Sequence, residues 1–350
     1  MSPPGGPKGE YPRAQPEGTP VSSVASAEML ERRPTRSPLA KFLESHGQEL
    51  VLLAALVVIF VAVGLYNPRF LGSNNLNAIF AGNAYIAVAA IGMSLVIISG
   101  HIDVSVGALI GVLATIAGTL AVKGYSPWVC WAVPVLCGMV VNAFIGVLVA
   151  YARIPSIVVT LGMLSVLKGG LISVTGGAWI SNLPQDFLIA QMRLFGMPSP
   201  IWFMLILTAV MALWMKYSGA GRAIYAIGGN GDAARAVGIP IERGTVLVFA
   251  FHGFFAGLAA LLLATQLQVI QSTVPNGLEL SIITASVIGG VSILGGTGTV
   301  IGSTLAAILF AAIGSALIFV NVSAYWLRSV VGLLILVTVL ADMARRGRIN

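Results

Sequence analysis

Charge is what this sequence has least of. Lys, Arg, Asp and Glu make up 9% of its 350 residues, hydrophobic residues make up 57%, and the mean hydropathy is +0.94. A soluble domain carries about 25% charged residues, so a water-exposed globule is excluded. Cysteine is almost absent. Cys130 and Cys137 sit within one apolar run, which excludes a disulfide framework and leaves two residues expected to pack rather than bridge. The three histidines, His46, His101 and His252, share no ligand spacing, so no metal site is expected. No G-x-x-x-x-G-K-[ST] phosphate loop occurs, so the chain is not expected to hydrolyse ATP itself. No nucleophile–base pair suggests a membrane enzyme, no cofactor is implied, and nothing points to nucleic acid.

What is present is a series of long apolar runs. The bilayer core is about 30 Å thick and takes about 20 helical residues to cross. Ten such segments can be drawn, at about 49–66, 77–99, 104–122, 127–151, 155–175, 200–216, 243–264, 280–295, 299–320 and 326–342. A membrane barrel would show segments of about 10 residues alternating polar and apolar. Runs such as Val51 to Leu65 are apolar all round, so the expected fold is an all-α polytopic membrane protein of about ten helices. Glycine and polar residues interrupt the second and eighth segments, which are expected to be broken.

Residues 1–37 are rich in Pro, Gly, Ser, Glu and Arg and are expected to form a disordered tail. No short apolar core follows a basic start there, unlike a cleavable signal peptide. The membrane domain is expected over 38–343 and a basic end over 344–350. Positive charge favours the cytoplasmic side. With the N-terminus inside, that side holds Lys8, Arg13, Arg32, Arg33, Arg36, Lys41, Arg153, Lys216, Arg222, Arg235, Arg243, Arg345, Arg346 and Arg348, fourteen of the nineteen basic residues. Both termini are therefore expected inside. Residues 176–199 and 265–279 then become outer loops, and 217–242 the long cytoplasmic loop.

That loop carries a punctuated helix signal. Asn230 is a good N-cap after two glycines. Asp232 falls in the first turn, where negative charge suits the helix dipole. Ala233, Ala234 and Ala236 are strong helix formers. Gly238 suits a C-terminal stop and Pro240 prevents continuation. A helix of about two turns is expected. So short a helix is marginal alone in water, so it is expected to pack on the membrane domain, a partner, or both.

Asp232-Ala233-Ala234, with Gly238-Ile239 following, resembles the coupling motif of ABC importer permeases, with Asp where the motif has Glu. Other stretches resemble monosaccharide permeases of the ribose and xylose type. They are Gly92-Met93-Ser94-Leu95-Val96-Ile97 with Gly100-His101-Ile102-Asp103-Val104-Ser105-Val106-Gly107, Arg153 to Met163, Gly221 to Asn230, and Gly289 to Thr299. His101 departs from the Gly or Asn usual before Ile-Asp. The resemblance covers about Leu52 to Asp342. It implies a multi-pass permease of the bacterial inner membrane that works with a second, identical or different, permease subunit. ATPase subunits would dock on the cytoplasmic side against Asn230, Asp232, Ala233, Ala234, Gly238 and Ile239. An extracytoplasmic binding protein would deliver a monosaccharide. Another small polar solute, such as a polyol, a sugar-derived signal or a nucleoside, is the alternative substrate.

The interruption Ser99 to Gly107 places His101 and Asp103 between apolar runs, where ionisable groups are costly. Broken helices are a recurring way for transporters to bind polar solutes. Asp103 is expected chiefly as a helix cap whose carboxylate accepts the amide of Ser105 or Val106, and His101 chiefly as a packed residue. Candidates along the pathway are Asn83, Ser94, Ser99, His101, Asp103, Asn142, Thr160 and Ser292, together with Ser165 and Thr284. His252, Lys168 and Asn142 are expected to form interhelical hydrogen bonds. A second interruption, Gly289 to Gly302, aligns Gly295 with Gly100 and Gly302 with Gly107. The alternative class is a proton-coupled transporter with Asp103, His101 and Glu279 as its relay.

Overall fold

The computed structural model describes residues 38–266, 269–272, 277–323 and 325–347. The expected disordered tail, 1–37, and the last three residues lie outside them. The described residues from Gly47 onward form one compact unit.

The apolar runs fold as helices. They are α1 (Pro38–Tyr66), α2 (Ser73–Phe80), α3 (Ala84–Ile98), α4 (Val106–Val122), α5 (Pro127–Ala150), α6 (Ser156–Thr175), α7 (Ser199–Tyr217), α8 (Gly219–Gly229), α9 (Gly231–Ala236), α10 (Ile241–Gln266), α11 (Leu278–Ile288), α12 (Val300–Phe319) and α13 (Trp326–Gly347). Each expected segment falls on a helix. Among the described residues, seven spans are long and apolar enough to cross a membrane, with α2 and α3 counted as one; α4 and α11 are shorter apolar helices. The exposed faces of α1, α5, α6 and α7 carry large apolar residues, as lipid-facing helices must.

The centre of the bundle is α3, with almost every residue buried. Helices α10, α11, α12 and α7 pack around it, and α10 also lies along α4 and α5. Small residues allow the closest crossing. A Cβ on Gly138 of α5 would lie 2.5 Å from the Gly253 carbonyl of α10, so the two backbones meet there.

Two expected spans are not continuous. The second is broken by the turn at 81–83 between α2 and α3. The eighth stops at Ile288, so residues 289–295 are not helical as the segment 280–295 required. Gly290, Gly295, Gly296 and Gly298 hold positive φ there, a conformation that ends a helix and that glycine takes at little cost. At 1.5 Å per residue, the 11-residue α11 covers about half of the bilayer core.

Short strands cap the ends of α7 and α10 that lie away from α8 and α9. β1 (Trp179–Ile180) pairs antiparallel with β4 (Ile270–Gln271), in register Trp179 to Gln271. β2 (Arg193–Leu194) and β3 (Met197–Pro198) form a small hairpin.

Candidate coupling surface and backbone breaks

The expected loop helix is α9, six residues long, which is just under two turns. Asn230 accepts a hydrogen bond from the Ala233 amide at 3.0 Å. At the other end the Gly238 amide donates to the Arg235 carbonyl and the Ile239 amide to the Ala234 carbonyl, both at 3.0 Å. Gly238 has φ 85°, which completes a Schellman stop. Ala234 is buried, whereas Asp232, Ala233, Arg235, Ala236, Val237 and Gly238 are exposed. The helix is thus held on one side and free on the other. Arg235 pairs with Glu242 of α10 at 2.6 Å. A hydrogen bond from its own backbone amide, with the Arg235 guanidinium adding to it, holds the Glu242 carboxyl below its ordinary value.

The sequence reading missed α8, the helix before it. Ser218 caps α8 by accepting the Gly221 amide at 2.8 Å. Its far end reaches both interruptions. The Tyr225 hydroxyl donates to the Gly298 carbonyl at 2.9 Å. A Cβ on Gly295 would lie 2.7 Å from the Gly228 carbonyl and 3.0 Å from the Gly100 Cα. The Gly296 amide donates to the Ile98 carbonyl at 2.8 Å. The two glycine breaks that aligned in the sequence therefore touch one another.

In the first break, Asp103 Oδ1 accepts from the Ser105 amide at 2.7 Å and from the Ser105 hydroxyl at 2.6 Å. The backbone of Ile102 is met from α6, whose Ser156 hydroxyl accepts its amide at 3.2 Å and whose Thr160 hydroxyl reaches its carbonyl at 3.5 Å. His101 lies against the Phe249 ring, with centroids 5.9 Å apart. The second break is tied down by α1. Gln48 donates to the Ile288 carbonyl at 3.0 Å, and Glu49 accepts from the Thr299 hydroxyl at 2.6 Å.

The remaining candidates scatter. Ser94 is fully buried and lies 2.6 Å from the Ser303 hydroxyl and 3.2 Å from the Ser286 hydroxyl, joining α3, α12 and α11. Ser99 donates to the Val96 carbonyl, and Thr284 to Leu280. Ser165 donates to Leu161 on an exposed face. Ser292 is buried in the second break, where its hydroxyl accepts the Leu294 amide. Glu279 starts α11 beside Gly107 of α4. Asn83 lines a cavity of about 350 Å³ with Asn75, Ser281, Ser315, Phe310 and Phe319. No charged side chain lines it among the described residues.

One expectation fails. His252 and Asn142 are fully buried, yet neither side chain forms a hydrogen bond among the described residues. Instead His252 Nε2 lies 3.4 Å from Asp103 Oδ2. A lone histidine in an apolar helix and an acid in the first break were the sequence signs of this pair, and neither pointed to the other.

Apolar helices around two breaks, with one short helix presented outside the bundle, make a multi-pass membrane protein. Residues 75–340 match the family described as branched-chain amino acid transport system / permease component. The autoinducer 2 import system permease LsrC of Escherichia coli O9:H4 is 35% identical over 87% of this chain and 89% of its own length. LsrC of Salmonella typhi is 36% identical over 87% and 88%. No solved structure matches. The chain belongs to this family of ABC importer permeases, multi-pass proteins of the inner membrane.

Proposed function

We propose that this chain forms the membrane pathway of an ATP-driven importer for a small sugar-like solute, and that a separate ATPase subunit drives it through α9. The observation that carries the reading is α9 itself. A six-residue helix is too short to be stable alone, yet it is capped at both ends and buries only Ala234. Its free face, from Asp232 to Gly238, fits a docking surface for a partner. The charge distribution supports placing both termini and residues 217–242 in the cytoplasm. A binding protein would then deliver solute on the side of β1 to β4, and a second permease copy or a related chain would complete the pathway.

The relatives are named for autoinducer 2 import, which makes a sugar-derived signal the first solute to test, with monosaccharides and polyols beside it. The uncharged lining around Asn83 suits neutral hydroxyls better than a zwitterion.

The test uses the complex with its ATPase and binding protein in proteoliposomes. Solute-loaded binding protein is expected to stimulate ATP hydrolysis, with autoinducer 2 ahead of a pentose panel. Gly238→Val places a β-branched residue at positive φ, where only glycine is at ease. Uptake is expected to fall by about tenfold or more, a coupling loss of ordinary size, with the permease still assembled. Wild-type uptake in that variant would refute the role of α9.

A further inference from the structure

Two sets of contacts lead from α9 to the same place inside the bundle. On the chain before it, α8 ends at Gly228 and Gly229, whose backbones lie directly on Gly295, Gly296 and the Ile98 carbonyl. On the chain after it, α10 leaves Pro240 and carries His252 about three turns farther along. There His252 Nε2 faces Asp103 Oδ2 at 3.4 Å, with both side chains fully buried. Its Nδ1 sits against α3, where a Cβ on Gly92 would lie 2.7 Å away. The imidazole is thus wedged between α3 and the 99–105 break.

The contact is close but incomplete. Asp103 Oδ1 is fully used by Ser105. Asp103 Oδ2 and both imidazole nitrogens have no hydrogen-bond partner among the described residues. Buried polar atoms in that condition are costly, and pairing them is favourable. The donor–acceptor distance of such a bond is about 2.7–3.2 Å, so an approach of roughly half an ångström would form it and a retreat would open it. A shift of α10 relative to the break would therefore close or open this pair, as an element that carries movement between distant sites must.

We propose that Asp103 and His252 are positioning residues that carry displacement of α9, through α10, to the 99–105 break. The proposal rests on the importer reading.

The experiment uses the full complex in nanodiscs and proteoliposomes. His252→Leu removes the imidazole at similar bulk, and His252→Gln restores an N–H donor. Three quantities are read: basal ATP hydrolysis, its stimulation by loaded binding protein, and hydrogen exchange at residues 99–106 with and without ATP. In the wild type, ATP is expected to change exchange at 99–106. His252→Leu is expected to lose that response and about tenfold of stimulated uptake with basal hydrolysis retained, and His252→Gln to recover most of both. Should the leucine variant not assemble, His252→Met, which also lacks an N–H and has similar bulk, takes its place with the same expectation. Stimulated uptake and ATP-dependent exchange equal to wild type in the assembled variant would overturn the proposal. So would a loss of uptake that only tracks the amount of assembled complex. A wild-type complex without solute-stimulated hydrolysis would instead refute the importer reading.

Discussion

Ser94 and Asp103 are both small polar residues in apolar surroundings, and the structure separates them by their partners. Ser94 finds serines on α11 and α12 and donates to the Ala90 carbonyl one turn back in α3, which is the pattern of a helix-packing residue. Interhelical hydrogen bonds in membrane proteins are worth about 0.6 kcal/mol on average. Ser94→Ala is therefore expected to lower stability by about 1 kcal/mol, read by thermal unfolding in detergent, and to leave uptake near wild type. A selective loss of uptake at unchanged stability would place Ser94 on the pathway instead. Asp103 is different because only half of its carboxylate is used locally. The Ser105 cap was legible in the sequence, since a carboxylate two residues before an amide needs no tertiary information. The His252 contact was not legible, because nothing local links a residue in α10 to a break between α3 and α4.

Among the elements, α9 shows how much a short helix owes to its ends. Asn230→Ala removes the bond to the Ala233 amide and is expected to cost about 1 kcal/mol, read as faster hydrogen exchange at residues 231–237; Asn230→Ser is expected to retain the protection. The Arg235–Glu242 pair adds a pH dependence of known sign. The Glu242 carboxyl is held below its ordinary value of 4.5, so its contribution is complete above that value. It is lost as pH falls through the depressed one. Protection of α9, corrected for intrinsic exchange, is expected to hold from neutral pH down to the ordinary carboxylate range and to fall below it. Glu242→Gln is expected to abolish that dependence. This helix was readable in advance because Asn230, Gly238 and Pro240 each act on the nearest backbone. Its neighbour α8 was missed because its glycines, at Gly219, Gly221, Gly228 and Gly229, argue against a helix until tertiary packing outweighs them. The end of the eighth segment was misplaced for the opposite reason, since hydropathy runs on through 289–295 while the glycine backbone turns away.

At the scale of the molecule, hydropathy located the apolar helices and charge set an orientation that can be checked directly. Cys130 and Cys137 are free and can be replaced by alanine. In that background Asp232→Cys is expected to react with an impermeant maleimide only from the cytoplasmic side, and Gln185→Cys, exposed near β1, only from the other. The reverse pattern would invert the topology. How the helices gather was not readable. The central place of α3 follows from small residues on α3, α5 and α10 that let backbones approach, and a sequence shows such residues without showing their partners.

The meeting of Gly100, Gly228 and Gly295 has a genetic consequence. A side chain added at Gly228 would run into the Ile98 carbonyl and the Gly296 amide, which are backbone atoms. Trimming a neighbouring residue relieves a crowded side chain, but here no neighbour has anything to trim. A selection for suppressors of Gly228→Ala should therefore return true revertants, together with changes elsewhere that reposition α8 as a whole.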